Sequence, residues 1–195
     1  MSRSAYNPTG AKLKGVKGTI ACKRGSIAHY EESPLASTTT KIHAAITLTT
    51  EVQHISTDIT NPDVPRVISI TGVKAGGALT GDVVIHGTDA SGAIITDTIA
   101  LNDNVTVNGV KAFKTVTLID VPVYVTSGDT VSIGTTDLLG LIHLLSQNTV
   151  WEVFLNNVKE TVAPTVTVSS TVLSLNTVDL NSALDGNQVD IWYFV

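Results

Sequence analysis

From Ile42 the apolar positions Ile42, Ala44, Ile46 and Leu48 alternate with their neighbours over seven residues, the period of a half-buried β-strand, and Val52 to Ile55 continues it or begins the next. Asn61-Pro62-Asp63-Val64-Pro65 then halts any ladder, because neither proline can donate a backbone hydrogen bond. Strand patterns follow in quick succession. Arg66 to Thr71, with Val67, Ile68 and Ile70, leads into a glycine-rich loop from Gly72 to Gly81. Asp82 to Gly87 and Ala93 to Leu101 bracket Thr88-Asp89-Ala90-Ser91-Gly92, which has the residues of a hairpin loop. Asn102-Asp103-Asn104 reads as a turn, Val105 and Val107 as a short strand, and Asn108-Gly109 as a type I′ reversal. Lys114 to Ile119 and Val121 to Val125 extend the pattern with a kink near Pro122, and after the Thr126-Ser127-Gly128-Asp129 turn the strand returns through Val131 and Ile133. Turns spaced about ten residues apart belong to a sandwich or barrel.

Leu138 to Leu145 is nearly all Leu and Ile, and Gly140 within it favours a loop with apolar anchors over a short helix. Val150 to Leu155 is almost continuously apolar, as in a strand covered on both faces, with Glu152 the exception. Pro164 opens another short strand with Val166 and Val168 on one face, and Val178 to Leu180 precedes a polar turn over 181–187. The last seven residues, Val189 to Val195, include Ile191, Trp192, Tyr193 and Phe194 in succession. A terminus this apolar frays unless it is tied down, which predicts a paired strand buried in the protein's own sheet or against a neighbouring copy.

Composition strengthens the β assignment: Val, Ile and Thr supply 69 of 195 residues, and these branched side chains suit pleated surfaces better than helices. The expected fold is all-β, an antiparallel β-sandwich or jelly-roll-like barrel spanning 41–195, with an extended N-terminal arm over 1–40. Pro8, Gly10, Gly15, Gly18, Gly25 and Pro34 punctuate that arm, and no periodic apolar face runs through it.

Charge divides the chain in the same way. Arg3, Lys12, Lys14, Lys17, Lys23 and Arg24 fall in the first thirty residues with no Asp or Glu, whereas the rest holds six Lys/Arg and all seventeen Asp/Glu. The overall charge of −5 thus conceals +6 on the arm and −11 on the body. Such an arm seeks an acidic surface, and identical acidic bodies offer one. Nucleic acid is the lesser expectation, since Tyr6 and Tyr30 alone could stack on bases and the acidic body opposes a phosphate backbone.

A body of this length buries a core without staples, and the lone Cys22 excludes an intrachain disulfide. The N-terminal stretch lacks the apolar segment of a signal peptide, and no run reaches the roughly 18 apolar residues of a membrane span, so synthesis in a cytoplasm and no membrane partner are expected. The sequon Asn104-Val105-Thr106 is read as chance on the same ground.

Catalytic patterns are sparse. His29, His43, His54, His86 and His143 show no zinc spacing. Asp82 and His86 share one face of a strand, read as two surface side chains flanking Val84, and His29-Tyr30-Glu31-Glu32 could meet a cation but offers no visible further ligand. No Gly-x-Ser-x-Gly elbow occurs, and Gly72 to Gly77 lacks the Gly-Lys-Ser/Thr ending of a phosphate loop. The expectation is no catalytic residue, no metal and no cofactor.

Asp129 to Gly134, Leu139-Gly140-Leu141, Asn148-Thr149-Val150, Leu155-Asn156-Asn157, Ala163 to Val168 and Asn176 to Leu184 resemble small virion proteins of tailed bacteriophages, as do Val84 to Gly92 and Lys111 to Val116. The likeness covers about residues 60–195 and rests mostly on turn chemistry. It implies a structural role, a capsid decoration or cement protein or head fibre base bound to the outside of a phage head and not an enzyme. The implied partners are the major capsid protein and copies of the chain itself, as a homotrimer or another symmetric oligomer, and the implied location is the capsid surface of the virion. The expected subunit or capsid contacts are Arg3, Lys12, Lys14, Lys17, Lys23, Arg24, Trp192 and Phe194. Neck or tail components, and carbohydrate-binding or adhesive β-domains, are the alternatives.

Overall fold

The computed structural model describes residues 26–195, together with the backbone of two short strands, β1 (Lys12–Gly15) and β2 (Gly18–Ala21), which pair antiparallel with Lys12 opposite Ala21. Arg3, Lys17, Lys23 and Arg24 lie outside the described residues, as do the side chains of Lys12 and Lys14. The strands that follow are β3 (Ile27–Glu32), β4 (His43–Thr47), β5 (Gln53–Ile55), β6 (Arg66–Val73), β7 (Asp82–Thr88), β8 (Ile94–Ala100) and β9 (Thr106–Phe113). Then come β10 (Thr115–Val121), β11 (Thr130–Gly140), β12 (Val150–Leu155), β13 (Val158–Lys159), β14 (Thr165–Thr167), a 3-10 turn at Leu173–Leu175, β15 (Thr177–Asp179) and β16 (Val189–Phe194). All of these strands pair antiparallel, and the body is an all-β sandwich as the branched-residue composition requires.

Three sheets enclose two cores. A central sheet, ordered β14-β15-β11-β6-β9 with β4 beside the start of β11, faces the sheet β5-β10-β7-β8 across a core containing Ile68, Ile70, Val83, Ile85, Phe113, Ile119, Val131 and Ile133. The third sheet, β13-β12-β16-β3, closes over the far end of β11 and β15, burying Tyr30, Leu139, Val153, Val178, Ile191 and Tyr193 in a second core. β11 is long enough to serve both: Val131 and Ile133 enter the first core, Leu139 the second.

Arg66 lies where the cores meet and is fully buried. The β6–β11 ladder slips between Thr135 and Leu139. In that irregularity the Thr136 carbonyl accepts from Arg66 Nε at 2.8 Å and Nη2 at 2.5 Å, while Nη1 donates to the Leu35 carbonyl at 2.9 Å and to Asp63 at 3.1 Å. Asp63 also accepts from the Leu35 amide, and the Thr135 amide donates to Thr38. These bonds strap 33–41 onto the central sheet. Gly134 is part of the reason, since a Cβ there would collide with the Thr38 carbonyl and the Thr39 backbone.

Several elements differ from the sequence expectation. Ile27–Glu32, expected to be irregular arm, is a strand whose Ala28 and Tyr30 enter the second core; only two inward positions mark it, too few to register as a pattern. Asn108-Gly109 is not a reversal but the interior of β9, where the β6–β9 ladder bulges. Glycine is needed there because Asp97 Oδ2 crosses its Cα to accept from the Val110 and Lys111 amides at 2.8 and 3.1 Å. Leu138 to Gly140 ends β11, and the loop with apolar anchors begins only at Leu141, with Leu141 and Leu145 buried. β12 is covered on one face only, and Trp151 stands 53% exposed. The Thr88 to Gly92 hairpin loop and the turn closed by Asp129 are as expected.

Candidate interaction surface

Antiparallel partners point to the same face, so the ladder registers of the third sheet define what it shows to solvent. Val189, Ile191 and Tyr193 of β16 go inward; Asp190, Trp192 and Phe194 go outward. Pairing sets Phe154 opposite Asp190 and Asp190 opposite Glu31, then Glu152 opposite Trp192 and Trp192 opposite His29, then Phe194 opposite Ile27. Lys159 of β13 completes the first row opposite Phe154. A slip in the β12–β16 ladder between Val150 and Glu152 swings Trp151 onto the same side, its ring 5.9 Å from that of Phe194.

Both tryptophans of the chain and two of its three phenylalanines therefore stand on one sheet face. The face is graded. One end is apolar, with Ile27 58%, Trp151 53%, Phe194 42% and Val195 42% exposed. The other end is polar, with Glu31, Asp190, Gln188 and the Lys159–Glu152 ion pair at 2.8 Å. His29 sits between them, stacked on Trp192 at 3.9 Å between ring centres and 9° between planes, with Nε2 2.7 Å from Asp190. Gln188 Nε2 donates to both Glu31 and Asp190, at 3.0 and 3.2 Å.

Trp192 and Phe194, expected as contact residues, are thus both outward-facing, and they share the face with Trp151, Phe154 and Ile27, which the sequence reading did not single out. The bulge that turns Trp151 outward leaves no mark in the apolar run Val150 to Leu155. Apolar exposure of this kind, rimmed by charge, marks surfaces that meet other protein.

The chain enters and leaves at the apolar end. Ser26 and Val195 exchange backbone hydrogen bonds of 3.0 and 2.9 Å, so Ser26, where the basic segment joins the body, is held at this end of the face. At the polar end β3 is an edge strand among the described residues, and a groove lined by Glu31, Glu32, Ser33, Asp63, Val64 and Gln188 lies at the end of this strand. Beneath it the Tyr30 hydroxyl is buried without a hydrogen-bond partner among the described residues, and burial together with the charge of Glu32 raises its pKa.

The other titratable groups fall into separate clusters. His29, Glu31 and Asp190 present donor atoms within 4.8 Å of one another, the described group most able to hold a metal ion; Asp190, from β16, supplies the ligand that the local sequence around His29 lacks. Asp82 does not pair with His86. Asp120 does so instead, bridging His86 at 2.9 Å and His54 at 2.6 Å on the outer face of the β5-β10-β7-β8 sheet. Burial opposes ionisation of Asp120, but hydrogen bonds from both imidazoles outweigh it and hold the carboxyl below its usual range. Asp129 accepts from the Ala75, Val125 and Thr126 amides, which lower its pKa and tie two loops together. Among the described residues no helix is long and apolar enough to cross a membrane.

No protein-family model, curated protein or solved structure matches the chain.

Proposed function

We propose that this protein is a structural assembly subunit, a decoration or cement protein on the outer surface of a tailed-phage head, where it stabilises the capsid by non-covalent contacts. The observation that carries a docking role is the concentration of Trp151, Trp192, Phe154 and Phe194 on one face of the third sheet, in a chain with only 5% aromatic residues. Large rigid aromatic rings provide much contact area for little lost conformational freedom. The assignment to a phage head draws on the likeness of the turn motifs to small virion proteins and on the separation of a basic arm from an acidic body. Its partners in this reading are the major capsid protein and further copies of itself.

A ligand that binds only the assembled shell stabilises it by mass action, by about 2.7 kcal/mol per site at a hundredfold excess over Kd, and many sites multiply the effect. The test compares heat and chelator resistance of particles with and without the protein. Greater resistance with the protein supports the reading, and equal resistance rejects a cement role. Copy number separates a decoration, present at every lattice position, from a neck or tail ring present at few. Trp151 is also about half exposed, and binding of the isolated protein to a glycan array, abolished by Trp151→Ala, would favour the adhesive alternative instead.

A further inference from the structure

We infer that the groove at the end of the edge strand β3, bounded by Glu31, Glu32, Ser33, Asp63 and Gln188, is the seat for the basic N-terminal segment, residues 1–25, of a second copy of this chain. The inference rests on the reading of the arm as a tether between copies and names the surface that receives it.

Charge complementarity selects the occupant. The first 25 residues carry six Lys/Arg and no acid. At the receiving end, Glu31 is 58% exposed at its side chain and has no Lys or Arg partner among the described residues; the same holds for Glu32. The positive groups facing this region are few. Arg66 is buried and already paired with Asp63, His29 is bonded to Asp190, and Lys114, on the wall of the adjoining groove that Glu31, Glu32 and Asp63 also line, makes no ion pair among the described residues. An edge strand, moreover, offers a row of backbone donors and acceptors to any extended segment laid beside it. The arm contains such a segment: β1 and β2 form a two-stranded sheet that pairs with no third strand among the described residues, and a hairpin of that size is marginal in water without a surface to lie on.

Reach argues for a neighbouring copy over self-docking, at least near the root of the arm. The arm departs at Ser26, at the apolar end of the face, whereas Glu32 closes β3 at the other end. Six strand residues span roughly 20 Å, and the four residues from Cys22 to Ser26 reach about 14 Å fully extended, so the Cys22 backbone stops about 6 Å short of its own Glu32 even at full stretch back along β3. Cys22 of a second copy has no such constraint.

The sole cysteine lies in the arm, which supplies the experiment. Full-length Glu32→Cys protein is oxidised at low ionic strength and run without reductant. The expected result is a covalent dimer or ladder at least about tenfold above the Cys22→Ser/Glu32→Cys control, reduced by added salt because exposed ion pairs are screened. A Cys placed instead at Ser127, exposed in the turn before β11 and at the opposite end of that strand from the third sheet, should link far less. Equal linking at both positions, or none above the control, overturns the assignment. As a second measurement that needs no thiol, Glu31→Lys/Glu32→Lys should weaken self-association in sedimentation velocity about tenfold, the loss of a few exposed ion pairs, and Lys12→Glu/Lys14→Glu in the same chain should restore it. Failure of that rescue also counts against the seat. Cross-linking in solution without attachment to phage heads would refute the capsid role while leaving the seat in place; attachment without the cross-link would do the reverse.

Discussion

Arg66→Met is the sharpest probe of how the two cores are joined. Methionine keeps most of the volume and removes every donor, so the Thr136 carbonyl loses two hydrogen bonds, the Leu35 carbonyl loses one, and Asp63 is left with its backbone donor alone. Each buried acceptor left unsatisfied costs about 1–3 kcal/mol, and removing one partner of a buried charge pair costs about 3–5 kcal/mol. These terms overlap, because they describe the same guanidinium, and the net expectation is a loss of about 3–5 kcal/mol from a total of about 5–15 kcal/mol. At about 2–4 °C per kcal/mol for a domain of this size, Tm falls by about 6–20 °C. Urea unfolding followed by tryptophan fluorescence measures it directly. The double variant Arg66→Met/Asp63→Asn should recover part of the loss, since it removes the abandoned charge. A loss below about 1 kcal/mol with an unchanged denaturant slope would refute the claim that Arg66 locks the strap 33–41 to the bulge in β11.

The same lock has a pH signature. Burial opposes ionisation of Asp63, but the Leu35 amide and Arg66 outweigh it and depress its folded pKa, so its contribution is complete above the unfolded value near 4 and fades as pH falls through the folded pKa; acid unfolding of Arg66→Met should lack most of that component. Asp179 has the opposite sign, its pKa raised by burial and then by the charge of Asp137, so Asp179→Asn should raise Tm at neutral pH and gain nothing in acid. Gly109→Ala sets a methyl against Asp97 and should cost about 1–3 kcal/mol, with faster amide exchange at Val110 and Lys111. Trp151→Ser/Phe194→Ser should leave Tm nearly unchanged, as both side chains are about half exposed, while attachment to particles falls at least about tenfold; retained attachment would show that the aromatic face is not the contact.

What the sequence made legible was whatever depends on periods and turn residues. The alternation in β7 and β8 with Asp89 and Gly92 between them identified that hairpin, because hydrogen bonds from Ser91 and Ala93 to Asp89 close the loop locally. Asn108-Gly109 misled for a physical reason: the glycine is there to admit Asp97, a residue twelve positions earlier, and no local pattern announces such a crossing. The aromatic face was half legible. Trp192 and Phe194 declare themselves by sitting in a terminal strand with period two, but the outward turn of Trp151 depends on a bulge against β16. Arg66 was invisible as a keystone, since its acceptors come from 35, 63 and 136, three unconnected places in the chain.

The boundary between arm and body has mechanical consequences. With the division at 40, a cut after residue 30 would have been harmless; with β3 in the sheet, such a cut removes Ala28 and Tyr30 from the second core and bares the edge of β16. A tether should instead be severed before Ser26. A pull on the arm is delivered to Ser26 and so to β3, which six registered pairs from Ile27–Phe194 to Glu32–Val189 hold to β16. Beneath them Tyr30, Ile191 and Tyr193 are packed in the same core. If the arm links copies as proposed, its hold on the body runs through the β3–β16 ladder that also carries the aromatic face.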